Sequence, residues 1–196
     1  MNSKKVFIIH GFGGLPNGGW FPWLMAELAK HRIFACAIPM PNPKNPIVTE
    51  WVETIHKYIG NETDDVILIG HSLGATGVLR YLESLPKDKL FGGVVLVSGV
   101  VESLDLGNPK SNFRRIDSFV DSPIDFQKIK STSNNFAVIH GEKDIIVPIA
   151  QSEKVSNEIG SELVRVGDGD HFSQLTEPIC YELPEALEEI LKMINK

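Results

Sequence analysis

The stretch that most restricts how this chain can fold is Val66-Ile67-Leu68-Ile69-Gly70-His71-Ser72-Leu73-Gly74-Ala75. Four consecutive apolar residues, branched or long, suit a strand buried on both faces, and the helix-forming run behind the glycines predicts an abrupt turn into a helix. Ser72 then occupies the tip of that turn. Gly70 and Gly74 have a mechanical reason, because a backbone that doubles back so tightly would drive Cβ atoms there into the neighbouring strand and helix. The serine is held in a strained conformation, and such strain collects at functional positions.

The rest of the chain alternates around this unit. Val6 to Ile9 is a first apolar strand, followed by the glycine-rich loop from His10 to Gly19 and a helix from Trp20 to Lys30, where Pro22 is tolerated in the first turn. Ile33 to Ile38 is a second strand. The proline-rich loop from Pro39 to Pro46 follows and is expected over an edge of the site. Val48, Val52, Ile55 and Ile59 predict an amphipathic helix. Behind Ser72, a helix from Gly74 to Leu85 is stopped by Pro86, and Val94 to Ser98 is the next strand. Gly99 to Asn135 shows no strand pattern, a long connection in which short helices are expected at Asn112 to Phe119 and Ile124 to Ile129. Phe136 to Ile139, a helix from Ala150 to Ile159, Glu162 to Val166 and a closing helix from Glu182 to Ile194 complete the order. Strand–helix alternation of this kind predicts an α/β fold of about six parallel strands with right-handed crossovers and helices on both faces. At 196 residues the chain is expected to be a single domain spanning 1–196.

Composition removes several classes of function. No apolar run approaches the roughly 18 residues of a membrane span, and the four-residue run after the basic start is too short for a secretion signal, so it reads as a strand. A net charge of −6, with scattered basic residues, argues against nucleic acid or an anionic membrane as a partner. Two cysteines cannot make a disulfide framework and suit a reducing compartment, so a cytoplasmic location is expected. Gly11 and Gly13 begin a dinucleotide fingerprint, but its sixth position is Pro16 and no acidic residue closes the second strand near Ala37-Ile38. No histidine and carboxylate pair has zinc-ligand spacing. Neither a cofactor nor a metal is expected.

Serine hydroxyls are poor nucleophiles at neutral pH and need a base within hydrogen-bond reach, itself oriented by a carboxylate. In a parallel sheet the C-terminal strand ends share one edge, where ligands bind. Ser72 follows the third strand, Asp144 the fifth and His171 the sixth, which makes them the candidate nucleophile, acid and base. Their chain order is the one expected of an α/β-hydrolase arrangement. His10, His71 and His140 also stand at strand ends, but the first two flank structural turns and the third precedes the acid loop. Asp168 and Asp170 are so near His171 that they should shape its turn, and Asp125 is the weaker substitute acid. The backbone N–H groups of Phe12 and Leu73 are the candidate oxyanion donors. Gly11, Phe113 and Phe119 are candidate substrate-binding residues. The aromatics Phe113, Phe119 and Phe126 fit equally an acyl pocket or a core beneath a crossover helix.

Four segments, His10-Gly11-Phe12-Gly13-Gly14, Gly70-His71-Ser72-Leu73-Gly74, Gly141-Glu142-Lys143-Asp144 with Val147-Pro148, and Gly169-Asp170-His171-Phe172, resemble the small α/β-hydrolases of the retinoblastoma-binding-protein type. The resemblance spans nearly the whole chain. It implies a three-layer α/β-hydrolase fold without a separate cap domain, serine hydrolase activity, and Ser72, His171 and Asp144 as nucleophile, base and orienting acid. Some relatives bind a pocket protein through L-x-C-x-E, but the nearest string here, Pro178-Ile179-Cys180-Tyr181-Glu182, lacks the leucine, so a protein partner is not supported. The expected activity is hydrolysis of small ester, thioester or amide bonds of a small-molecule acyl substrate. A non-catalytic interaction module on the same scaffold is the alternative.

Overall fold

Apolar runs with few polar interruptions become the strands of a parallel sheet, because each must be covered on both faces. The computed structural model of the chain describes residues 4–61, 63–86, 89–104, 116–175 and 177–195. Its strands are β1 (Lys5–Ile9), β2 (Phe34–Ile38), β3 (Val66–His71), β4 (Gly93–Val97), β5 (Phe136–Gly141) and β6 (Leu163–Val166), and its helices are α1 (Phe21–Lys30), α2 (Val48–Ile59), α3 (Leu73–Ser84), α4 (Asp117–Val120), α5 (Phe126–Lys130), α6 (Ile149–Ile159) and α7 (Pro184–Ile194). The sheet order is β2-β1-β3-β4-β5-β6. Every adjacent pair is parallel. In register, Ile9 lies beside Gly70, His71 beside Val97, and Val97 beside Ile139. The loops that leave these strands therefore emerge along one rim.

Alternation within each strand divides the apolar residues between two cores. Phe7, Ile9 and Leu68 face the layer of α2 and α3, with Trp51, Ile55, Val78 and Leu79. Val6, Ile8, Ile67 and Ile69 face the layer of α1 and α7, with Leu24, Leu28, Ala186 and Ile190. The result is the three-layer α/β-hydrolase arrangement, and among the described residues no separate cap domain is present. No helix among them is long and apolar enough to cross a membrane.

Among its described residues the expected long connection after β4 carries two short helices. Neither Phe119 nor Phe126 lines the cavity over Ser72. Phe119 is fully buried, its ring 5.2 Å from that of Trp51, and its carbonyl accepts a hydrogen bond from Arg80 Nε. Phe126 is buried in the same core. The physical reason lies in α3, which is buried all round from Leu73 to Leu82 and needs apolar cover on the side turned away from the sheet. Residues of α4 and α5 supply that cover. Phe113 lies outside the described residues.

Candidate active site

Ser72 stands between β3 and α3 with φ 55° and ψ −122°, a conformation that L residues adopt only when their surroundings impose it. The two flanking glycines make this turn possible. A Cβ on Gly70 would lie 2.5 Å from Ala75 Cα, and one on Gly74 would lie 2.2 Å from the Ile9 carbonyl oxygen. The first loop also comes close, since a Cβ on Gly11 would approach Ser72 Cβ to 2.9 Å. The Ser72 N–H donates to the Val97 carbonyl at 2.8 Å, which fixes the turn to β4.

His171 and Asp144 arrive from loops far along the chain. His171 Nε2 lies 2.9 Å from Ser72 Oγ, and its Nδ1 lies 2.7 Å from Asp144 Oδ2. A carboxylate accepts only, so Nδ1 carries the proton and the bare Nε2 accepts from the serine hydroxyl. Asp144 Oδ1 accepts from the Ile146 and Val147 N–H groups, both at 2.9 Å. Burial alone would push the Asp144 carboxyl up, but the hydrogen bond and charge of His171 and these two N–H groups hold it below its ordinary value. It is an anion in a dry setting. The structure thus brings together the three side chains singled out from the sequence. The other acids are elsewhere: Asp170 Oδ1 accepts from the Phe172 N–H at 2.7 Å and shapes the turn, Asp125 caps α5 through the Lys128 N–H, and exposed Asp168 pairs with Lys143.

The three other strand-end histidines are buried, and each binds a backbone carbonyl of a site loop. His10 Nδ1 donates to the Gly11 carbonyl at 2.9 Å, while its Nε2 accepts from the Met40 N–H at 3.3 Å. His140 Nε2 donates to the Val147 carbonyl at 3.1 Å and its Nδ1 accepts from the Ser152 hydroxyl at 2.8 Å. His71 Nε2 donates to the carbonyl of His171 itself at 2.7 Å. Burial lowers the pKa of all three, that of His71 to about 3, with nearby His171 acting in the same direction. They are neutral imidazoles. Met40 and Pro43, whose carbonyl accepts from the Gly13 N–H at 2.7 Å, tie the proline-rich loop to the first loop and hence to the edge of the site.

A cavity of about 430 Å³ opens over Ser72 and His171, within the usual size of small-molecule sites. Gly11, Phe12 and Leu73 line it, and Phe119 does not. Most of its apolar wall was not foreseen: Trp20, Phe21, Val100, Ile116, Ile146 and Phe172. The available signal was position alone, since all but Ile116 stand in or just after the strand-end loops. Among the described residues no group of three or more His, Cys, Asp and Glu side chains could hold a metal ion.

The profile of the serine hydrolase family matches residues 6–177. A curated relative, YdeN of Bacillus subtilis, is 34% identical over 185 residues, covering 92% of this chain and 94% of its own. The crystal structure of the B. subtilis ydeN gene product superposes with a TM-score of 0.90 at 32% identity, covering 99% of this chain and 100% of that one. The serine hydrolase RBBP9 of Rattus norvegicus is 26% identical over 193 residues, 97% of each chain. With the sheet order, the elbow at Ser72 and the profile in agreement, the chain belongs to the serine hydrolase family, as a small α/β-hydrolase of the type that YdeN and RBBP9 represent.

Proposed function

We propose that the chain hydrolyses small ester, thioester or amide bonds through an acyl-Ser72 intermediate. The observation that supports this reading is the continuous hydrogen-bonded line from Asp144 through His171 to Ser72, 2.7 and 2.9 Å in its two steps. His171 Nε2 takes the proton as Ser72 Oγ attacks the acyl carbon, and Asp144 stabilises the imidazolium that forms. The tetrahedral oxygen is met by the Leu73 N–H, at the first residue of α3, and by the Phe12 N–H. Each contributes on the order of 3 kcal/mol to lowering the barrier. His171 then hands its proton to the leaving group, activates a water, and the acyl-enzyme is hydrolysed. The apolar wall of the cavity favours a small apolar acyl group, whose burial contributes about 0.8 kcal/mol per methylene.

The test is covalent labelling and turnover. Wild-type protein is expected to be labelled by a fluorophosphonate and to hydrolyse a p-nitrophenyl ester, and Ser72→Ala to lose both. A Ser72→Ala protein that still labels fully would overturn the assignment.

A further inference from the structure

Two ring N–H groups outside the Ser72–His171–Asp144 line converge on the backbone of the loop that carries His171. His71 Nε2 donates to the His171 carbonyl at 2.7 Å, and Trp20 Nε1 donates to the Phe172 carbonyl at 3.1 Å. The two acceptors are consecutive. Phe172 between them has φ 53°, a left-handed conformation that is strained for a side-chain-bearing residue and persists only where its surroundings hold it. Relaxing that torsion would swing the peptide beside His171 and carry the imidazole with it.

The two rings are themselves fixed. Trp20 is 1% exposed and His71 6%, and they meet edge to face with centroids 6.1 Å apart, Phe21 standing 6.3 Å from His71 on the same side. Trp20 caps the start of α1 and His71 ends β3, one residue before Ser72. The base loop is therefore held from the first helix and from the strand that presents the nucleophile. A carbonyl accepts only, so Nε2 carries the proton of His71, and because burial keeps the ring neutral no like charge stands 5.1 Å from the imidazolium formed at His171.

The geometry points to His71 and Trp20 as positioning residues that clamp consecutive carbonyls of the base loop, holding His171 Nε2 within hydrogen-bond reach of Ser72 Oγ. This rests on the proposed acyl transfer at Ser72. The clamp accounts for the histidine in Gly70-His71-Ser72 and for a tryptophan whose indole N–H would otherwise be buried without a partner.

Turnover of a p-nitrophenyl ester by wild type, His71→Leu, His71→Gln and Trp20→Phe, with the melting temperature of each, tests it. His71→Leu should lower kcat about 100-fold, the scale of a misplaced reacting group, with KM changed less than about twofold. His71→Gln, whose amide N–H replaces Nε2–H, should recover about tenfold or more of that loss, and Trp20→Phe should lower kcat about tenfold. A fall in melting temperature at wild-type kcat, a rise in KM at unchanged kcat, or a glutamine variant no better than leucine would each overturn the clamp. If His71→Leu does not fold, Trp20→Phe decides, and wild-type kcat there overturns it. Wild-type protein that neither turns over the ester nor takes the fluorophosphonate would instead overturn acyl transfer at Ser72, and the clamp with it.

Discussion

The turn at Ser72 and the loop at His171 meet across 2.9 Å but are built in opposite ways. The first is a backbone device: Gly70 and Gly74 let main chain pass against main chain, with Gly74 so near Ile9 that any side chain there would strike a carbonyl. The second depends on side chains reaching in from elsewhere, Asp144 from the loop after β5, His71 from the end of β3 and Trp20 from just before α1. Main-chain packing is rigid and gives way as a unit, whereas hydrogen bonds from individual side chains can be removed one at a time. The turn at Ser72 should thus be sensitive to shape and the loop at His171 to donors, protons and charge.

The largest effect expected is on the base side. Asp144→Asn keeps the size of the side chain but presents an amide to Nδ1, which favours the wrong tautomer, and kcat should fall roughly 10⁴-fold with the fold intact. Ester turnover together with circular dichroism checks this. A loss of fold in place of a loss of rate would blur the contrast. On the nucleophile side, Gly74→Ala forces a methyl into the space 2.2 Å from the Ile9 carbonyl oxygen and 2.5 Å from that of His10. Urea unfolding should show it less stable by about 3 kcal/mol, the upper range for overpacking. A variant as stable as wild type would mean that the elbow is more yielding than its contacts imply.

The smallest effect is in pH. Burial, with His171 beside it, pushes His71 from 6.5 down to about 3, so between those values the unfolded chain binds a proton that the folded chain refuses. Stability is complete above about pH 6.5 and declines as pH falls toward 3. Burial of His10 and His140 acts with the same sign. Urea midpoints at about pH 7.5 and pH 4.5 should therefore differ by less in His71→Gln than in wild type. Equal differences in the two proteins would remove His71 from the account.

The six strands could be read from the chain as strongly apolar runs, and so could all three members of the hydrogen-bonded line, because each follows such a run and a parallel sheet brings such ends to one rim. Element ends moved by a few residues, which placed His71 inside β3 and began α7 at Pro184. The pocket was much less legible. Phe119 fitted an acyl pocket and a core equally and lies in the core, because its place depends on how much cover α3 needs, a property of the assembled layers. Trp20 looked like an ordinary helix residue and proves to face the cavity with its ring and the base loop with its N–H.

By itself, then, the order of apolar runs, glycines and chemistry-bearing residues determined the six parallel strands, the elbow and the choice of Ser72, Asp144 and His171 as three side chains that meet, since these follow from local periodicity and from the alignment of parallel strand ends. Only the tertiary structure decided which side chains wall the cavity and which ring N–H groups hold the base loop. Those contacts join residues as far apart as Trp20 and Phe172, and no local pattern in a chain records a partner at that distance.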